Sequence, residues 1–150
     1  MQNLSNVSEI KVQFFPEFKP LERPIVKSSK LAYQVLLSQW DEGLMQFLEE
    51  FKVIYLDAGN HVLGVCDISM GGRSSVQVDM KTIFSIALKC CASKIILAHN
   101  HPSGRLYPSA ADRQITKKIT TAGEYLDIEI CDHIIVTSRG YCSFKDEGLI

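Results

Sequence analysis

The sequence has 150 residues, enough for one domain whose core needs neither disulfides nor a structural metal. Hydrophobic residues make up 46% and charged residues 22%, and the formal net charge is −1, so nothing in the global charge favours nucleic acid or an anionic membrane as a partner. Five cysteines (Cys66, Cys90, Cys91, Cys131 and Cys142), without a C-x-x-C pair, read as reduced core residues of a soluble cytoplasmic protein. The opening residues carry Glu9, Lys11, Glu17 and Lys19 and no apolar h-region, and no run approaches the length of a membrane span, so neither a signal peptide nor a transmembrane helix is expected.

Residues 1–27 are expected to form an N-terminal extension, with a strand over 7–15 and an extended connection punctuated by Pro16, Pro20 and Pro24. The domain proper is expected over 28–150. Ser28 or Ser29 can cap a helix that runs to about Trp40, with Leu31, Val35 and Leu36 on one side, and Asp41-Glu42-Gly43 breaks it. The apolar run 51–56 and the stretch 62–68, separated by Asp57-Ala58-Gly59-Asn60, read as a hairpin in which His61 is a turn residue. Gly71-Gly72 marks a loop, with Gly71-Gly72-Arg73 read as a plain turn, and 75–78 a short strand. Asp79 opens a helix to about Cys91, whose inward face is Ile83, Ala87 and Cys91 with Phe84 and Leu88 beside them. The apolar segment 94–98 reads as a central strand, and 99–108 as a loop by its Pro, Ser and Gly content. Ser109 starts a helix with Ile115, Ile119 and Ala122 inward, ended by Gly123. Segments 128–137 and 141–144 make a final strand pair, in which Asp132-His133 reads as a hydrogen-bonded structural pair. Helices and strands alternate, so the fold class is α/β, a mixed sheet flanked by helices.

The chemistry concentrates in His99-Asn100-His101 and in Ser109-Ala110-Ala111-Asp112. Two imidazoles that follow a strand at a spacing of two project to the same side and can reach one ion. A catalytic zinc takes three protein ligands and keeps a fourth position open, and Asp112, in the first turn of the next helix, can be the third. Ser109-x-x-Asp112 also fits the helix-capping signature, so Asp112 can do both jobs. Zinc lowers the pKa of water to roughly 7, and a carboxylate that is not a ligand must then carry the proton. Glu49 and Glu50, just before the strand that begins at Phe51, are the candidates. Ser109 can donate a hydrogen bond to the water or to a developing oxyanion. Arg105 and Tyr107 lie on the loop beside the site and are weighed as substrate contacts.

This constellation resembles the JAMM signature of MPN-type metalloproteases: an upstream Glu, His-x-His, seven residues, Ser, two residues, Asp. Every interval agrees here. Ala98-His99-Asn100-His101-Pro102-Ser103-Gly104, Pro108-Ser109, Asp132-His133-Ile134-Ile135-Val136, Tyr141-Cys142-Ser143-Phe144 and Val53-Ile54-Tyr55-Leu56-Asp57 are similar to the bacterial RadC family, over roughly residues 45–150. The resemblance implies a cytidine-deaminase-like JAMM/MPN fold and a zinc (Zn2+) site built from His99, His101 and Asp112. It places the catalytic Glu two positions before the strand phenylalanine, at Glu49, with Glu50 as the alternative base. It implies a metallopeptidase acting on a peptide or isopeptide bond of a peptide or protein substrate. The alternative is a non-catalytic module, associated with DNA repair or mobile elements, that retains the metal-binding fold.

Two departures are visible. Many JAMM proteases carry Ser or Thr between the histidines, where this chain has Asn100, as RadC-like proteins do. Full-length RadC-like proteins also carry an N-terminal helical region of DNA-binding type, which 150 residues are too few to hold, and this weakens any DNA role. Two lookalikes are excluded: an HNH nuclease draws its histidines from separate elements, and a zinc deaminase needs H-x-E with P-C-x-x-C.

Overall fold

The computed structural model describes residues 3–71 and 77–150. One five-stranded mixed sheet organises them, in the spatial order β2-β1-β3-β4-β5. Its strands are β1 (Glu50–Leu56), β2 (Val62–Met70), β3 (Lys94–Asn100), β4 (Glu129–Thr137) and β5 (Gly140–Ser143). β1 pairs antiparallel with both β2 and β3, β3 runs parallel to β4, and β4 turns back into β5. The helices are α1 (Ser29–Ser38), the single turn α2 (Glu42–Met45), α3 (Met80–Lys89) and α4 (Ala110–Tyr125). The expected α/β class with a mixed sheet is what forms.

β1 and β3 are buried almost throughout, as strands covered on both faces must be. Alternation divides their side chains. Phe51, Val53, Tyr55, Ile95 and Leu97 pack with Ile83, Phe84 and Ala87 of α3 and Ile119 of α4. Ile54, Leu56, Ile96 and Ala98 face the other way, onto Ala32 and Leu36 of α1, Trp40 and Met45. The result is three layers with the sheet in the middle. β3, the third of five strands, delivers its C-terminal end to the functional region.

Helix starts follow the local chemistry. Ser28, Asp79 and Ser109 each accept a hydrogen bond from a backbone N–H of the first turn of α1, α3 and α4. Several expectations are corrected. Residues 7–15 form no strand. Val7, Ile10 and Val12 stand in solvent because no neighbouring strand supplies a ladder to pair with. Of the strand expected over 75–78, residues 75 and 76 lie outside the described residues, as does most of Gly71-Gly72-Arg73, and 77 and 78 are not strand. β3 continues two residues beyond Ala98, because Asn100 still pairs with Val136.

Gly123 does not end α4, which runs to Tyr125. It sits instead where a Cβ would lie 2.4 Å from the Ile128 carbonyl oxygen. Leu88 on α3 and Cys91, two residues past its end, are exposed rather than inward, and on α1 Ala32, not Leu31, joins Leu36 in the core. The other four cysteines are half-buried and all five are free, so the thiols fringe the core instead of filling it. Packing onto the sheet is already established at Val26, which is buried, and at Ile25, which bridges to His61.

Asp132 and His133 are not a side-chain pair. The Asp132 carboxylate accepts from the His133 backbone N–H, the Ser143 hydroxyl and the Lys145 N–H. The His133 imidazole turns to the opposite side of the sheet.

Candidate metal centre

The antiparallel register of β1 and β3 builds the site. Phe51 lies opposite His99, so continuing the ladder by two residues sets Glu49 opposite His101. Period-two alternation then puts Glu49, Phe51 and His99 on the α4 face of the sheet. Glu50 points to the other face. There it is buried, with its carboxylate 3.5 Å from the Lys52 ammonium, which also pairs with Asp67 and lies 4.9 Å over the Trp40 ring. The two glutamates therefore have separate surroundings, and only Glu49 joins the histidines.

Asn100, between the two histidines, is fully buried on the α1 side and secures this arrangement. Its Oδ1 accepts from the Glu50 N–H at 2.7 Å, and its Nδ2 donates to the carbonyls of Met45 and Leu48 at 2.7 and 2.8 Å. One side chain thus ties the segment that carries Glu49 to the strand that carries both histidines.

α4 brings the acid. Ser109 Oγ accepts from the Asp112 N–H at 3.0 Å while Asp112 Oδ2 accepts from the Ser109 N–H at 2.7 Å, a reciprocal cap. The same carboxylate reaches His99 Nε2 (3.3 Å from Oδ1) and His101 Nε2 (3.4 Å from Oδ2). Asp112 caps α4 and also faces both histidines, as its sequence position allowed.

The donor atoms of Glu49, His99, His101 and Asp112 all lie within 4.8 Å of one another. The directions of the surrounding hydrogen bonds show what this group can hold. His101 Nδ1 donates to the Arg105 carbonyl at 2.7 Å, since a carbonyl only accepts. Its Nε2 is then left with a lone pair when the ring is neutral. That Nε2 faces His99 Nε2 at 2.9 Å, with the Asp112 carboxylate beside both. Such an acceptor-rich cluster is satisfied by a proton or by a cation. Three ligand atoms about 2.0–2.1 Å from a tetrahedral ion stand about 3.3 Å apart. The separations of 2.9, 3.3 and 3.4 Å come close to that triangle, so the residues fit zinc.

The electrostatics agree. The hydrogen bond that His101 donates to the Asp112 carboxylate raises the His101 pKa against the opposing effect of burial. Burial would raise the Asp112 carboxyl, but hydrogen bonds from His101 and His99 outweigh it and hold the group well below the usual carboxylate range. Burial lifts Glu49 above an ordinary glutamate, against the pull of His99 and His101. His133 is wholly buried, and burial drives its pKa far down, which keeps the imidazole neutral.

Glu49, His99, His101 and Asp112 line a cleft of about 790 Å³ whose walls include Phe51, Val78, Ser109 and Ile115, with Arg105 and Tyr107 at its side. Tyr107 is largely exposed there. His133, Thr116 and Asn100 were not singled out as site residues from sequence. The available signals were slight: Thr116 is a polar residue one turn after Asp112, between the apolar Ile115 and Ile119, and His133 is a lone imidazole in an apolar strand.

Comparison with known proteins gives the family. The family model of the RadC-like JAB domain matches residues 26–149. The chain belongs to the RadC-like JAB domain family. A UPF0758 protein of Flavobacterium johnsoniae is 50% identical over 101 residues, covering 67% of this chain and 44% of the relative. A UPF0758 protein of Syntrophomonas wolfei is 44% identical over 129 residues, covering 85% of the chain and 55% of the relative. One of Desulfitobacterium hafniense is 35% identical over 133 residues, covering 87% and 56%. This RadC-like chain therefore spans about half the length of the curated relatives it matches. Among its described residues, no helix is long and apolar enough to cross a membrane.

Proposed function

We propose that this RadC-like JAB domain is a zinc-dependent hydrolase that cleaves a peptide or isopeptide bond. The observation that carries the reading is the convergence of His99 Nε2, His101 Nε2 and the Asp112 carboxylate on one point of an open cleft, with the Glu49 carboxylate beside them. His99, His101 and Asp112 would hold the ion. Zinc at such a site supplies Lewis acidity and lowers the pKa of water toward about 7.

The chain's own residues supply the rest. Glu49 stands free of the ligand triangle's hydrogen bonds and is half-buried, and its raised pKa brings it nearer to neutrality, as a group that both takes and returns a proton requires. It takes a proton from the attacking water and delivers it to the leaving amine. The Ser109 side chain, which accepts from the Asp112 N–H, retains its own hydroxyl hydrogen to donate to the oxygen on which negative charge develops. Phe51 and Ile115 give the cleft an apolar wall, and Arg105 and Tyr107, which also line it, would touch an extended substrate. Glu50, paired with Lys52 on the other face, takes no part.

Metal analysis with peptide-library cleavage tests the proposal. Chain purified under reducing, chelator-free conditions should carry stoichiometric zinc, which His99→Ala and Asp112→Ala lose and Glu49→Gln keeps. Glu49→Gln should slow peptide cleavage by roughly 10²–10⁴-fold. Wild-type chain that binds no zinc would refute the ligand assignment. Cleavage of DNA but never of peptide would overturn the peptidase reading.

A further inference from the structure

A chain of hydrogen bonds runs behind the metal centre and returns to its start. Thr116 Oγ1 lies 2.6 Å from the Asp112 carbonyl oxygen and 2.6 Å from His133 Nδ1. His133 Nε2 lies 2.7 Å from His99 Nδ1. His99 Nε2 then faces Asp112 Oδ1 at 3.3 Å, closing a ring that begins and ends on Asp112. Thr116, His133 and His99 are all buried, so water does not take over these contacts.

The direction of each bond follows from the first. Two oxygens 2.6 Å apart need a hydrogen between them, and a carbonyl has none to give, so the threonine hydroxyl donates to Asp112 O. Its only hydrogen is thereby used, and Oγ1 must accept from His133 Nδ1–H. A neutral imidazole carries one N–H, which leaves His133 Nε2 as an acceptor, and it can only accept from His99 Nδ1–H. In neutral His99 the lone pair is then on Nε2, the atom that looks into the cluster. Reversing any link would set two donors or two lone pairs against each other at 2.7 Å or less.

We propose that Thr116 and His133 are positioning residues that fix His99 in the tautomer whose Nε2 can bind a cation. The effect of such a partner is to orient the ring and select which nitrogen is free. The proposal rests on the reading of His99 as a metal ligand. It adds that the choice of nitrogen is made by a threonine on α4, through a second histidine on β4. A merely structural role for the pair would cost stability when removed but would not choose a tautomer.

Two measurements on the full chain test this. Long-range proton–nitrogen correlation spectra of the metal-free wild type should show His133 protonated at Nδ1 and bare at Nε2. Zinc competition titrations should show Thr116→Val, which keeps the shape and loses the hydroxyl, binding zinc on the order of 10- to 100-fold more weakly, with Thr116→Ser restoring the affinity. A His133 protonated at Nε2 in the wild type would overturn the proposal, whether or not the valine variant folds. So would a folded Thr116→Val chain that binds zinc as tightly as the wild type. A wild-type chain that binds no zinc would refute the ligand reading, and the nitrogen spectrum would then decide the relay by itself.

Discussion

Replacing Asn100 with alanine removes the clamp between the two strands that carry the candidate metal centre. The side chain makes three hydrogen bonds, to Glu50 N–H and to the carbonyls of Met45 and Leu48, at 2.7 to 2.8 Å. Each such bond contributes about 0.5–1.5 kcal/mol net. All three partners are main-chain groups and Asn100 itself is wholly buried, so alanine leaves them poorly solvated and the cost falls in the upper half of the summed range. We expect about 3 to 4 kcal/mol, or roughly 10 °C in Tm for a domain of this size. Urea unfolding followed by circular dichroism measures it, with the midpoint moving and the slope unchanged. Asn100→Asp keeps the volume but sets a carboxylate against two carbonyl oxygens, and at neutral pH it should be no better than alanine. A loss below about 1 kcal/mol for alanine, or an aspartate variant as stable as wild type, would refute the clamp.

Other expectations follow from the same packing. Lys52→Met strands the buried Glu50 carboxylate and should cost about 3–5 kcal/mol. Adding Glu50→Gln should recover much of that in the same urea assay, and Glu50→Gln alone should leave zinc content unchanged. Gly123→Ala gains about 1 kcal/mol of helix propensity, but its Cβ would lie 2.4 Å from the Ile128 carbonyl oxygen. The net effect should be destabilising by about 1–2 kcal/mol, and a higher Tm would contradict the close approach. Alkylation at pH 8, followed by peptide mass mapping, should label exposed Cys91 well before Cys131, whose thiol burial pushes up to about 11. Equal rates would show that the Cys131 environment is more open than described.

The parts of the site that were legible in the sequence are those set by local rules. His99 and His101 share a side because extended chain alternates, and Asp112 sits at a fixed place in its helix because Ser109 caps that turn. The hairpin of β1 and β2, the helix starts and the mixed α/β class are local in the same sense.

Where a choice depended on a distant segment, the sequence left it open or misled. Residues 7–15 have a strand's composition but no strand to pair with. Gly123 looks like a helix stop and is instead a point of contact with the Ile128 carbonyl. Glu49 and Glu50 are adjacent and chemically alike. Only the pairing of β1 with β3, which sets Phe51 opposite His99, sends one to the two histidines and the other to Lys52. Asn100 becomes a clamp, and Thr116 and His133 meet behind His99, only because the sheet order places β4 beside β3 and α4 across their common face. By itself the sequence determined which residues could bind a cation. The tertiary structure decided which carboxylate lies beside the histidines and which nitrogen of His99 faces Asp112, because both depend on strand register and packing between segments far apart in the chain.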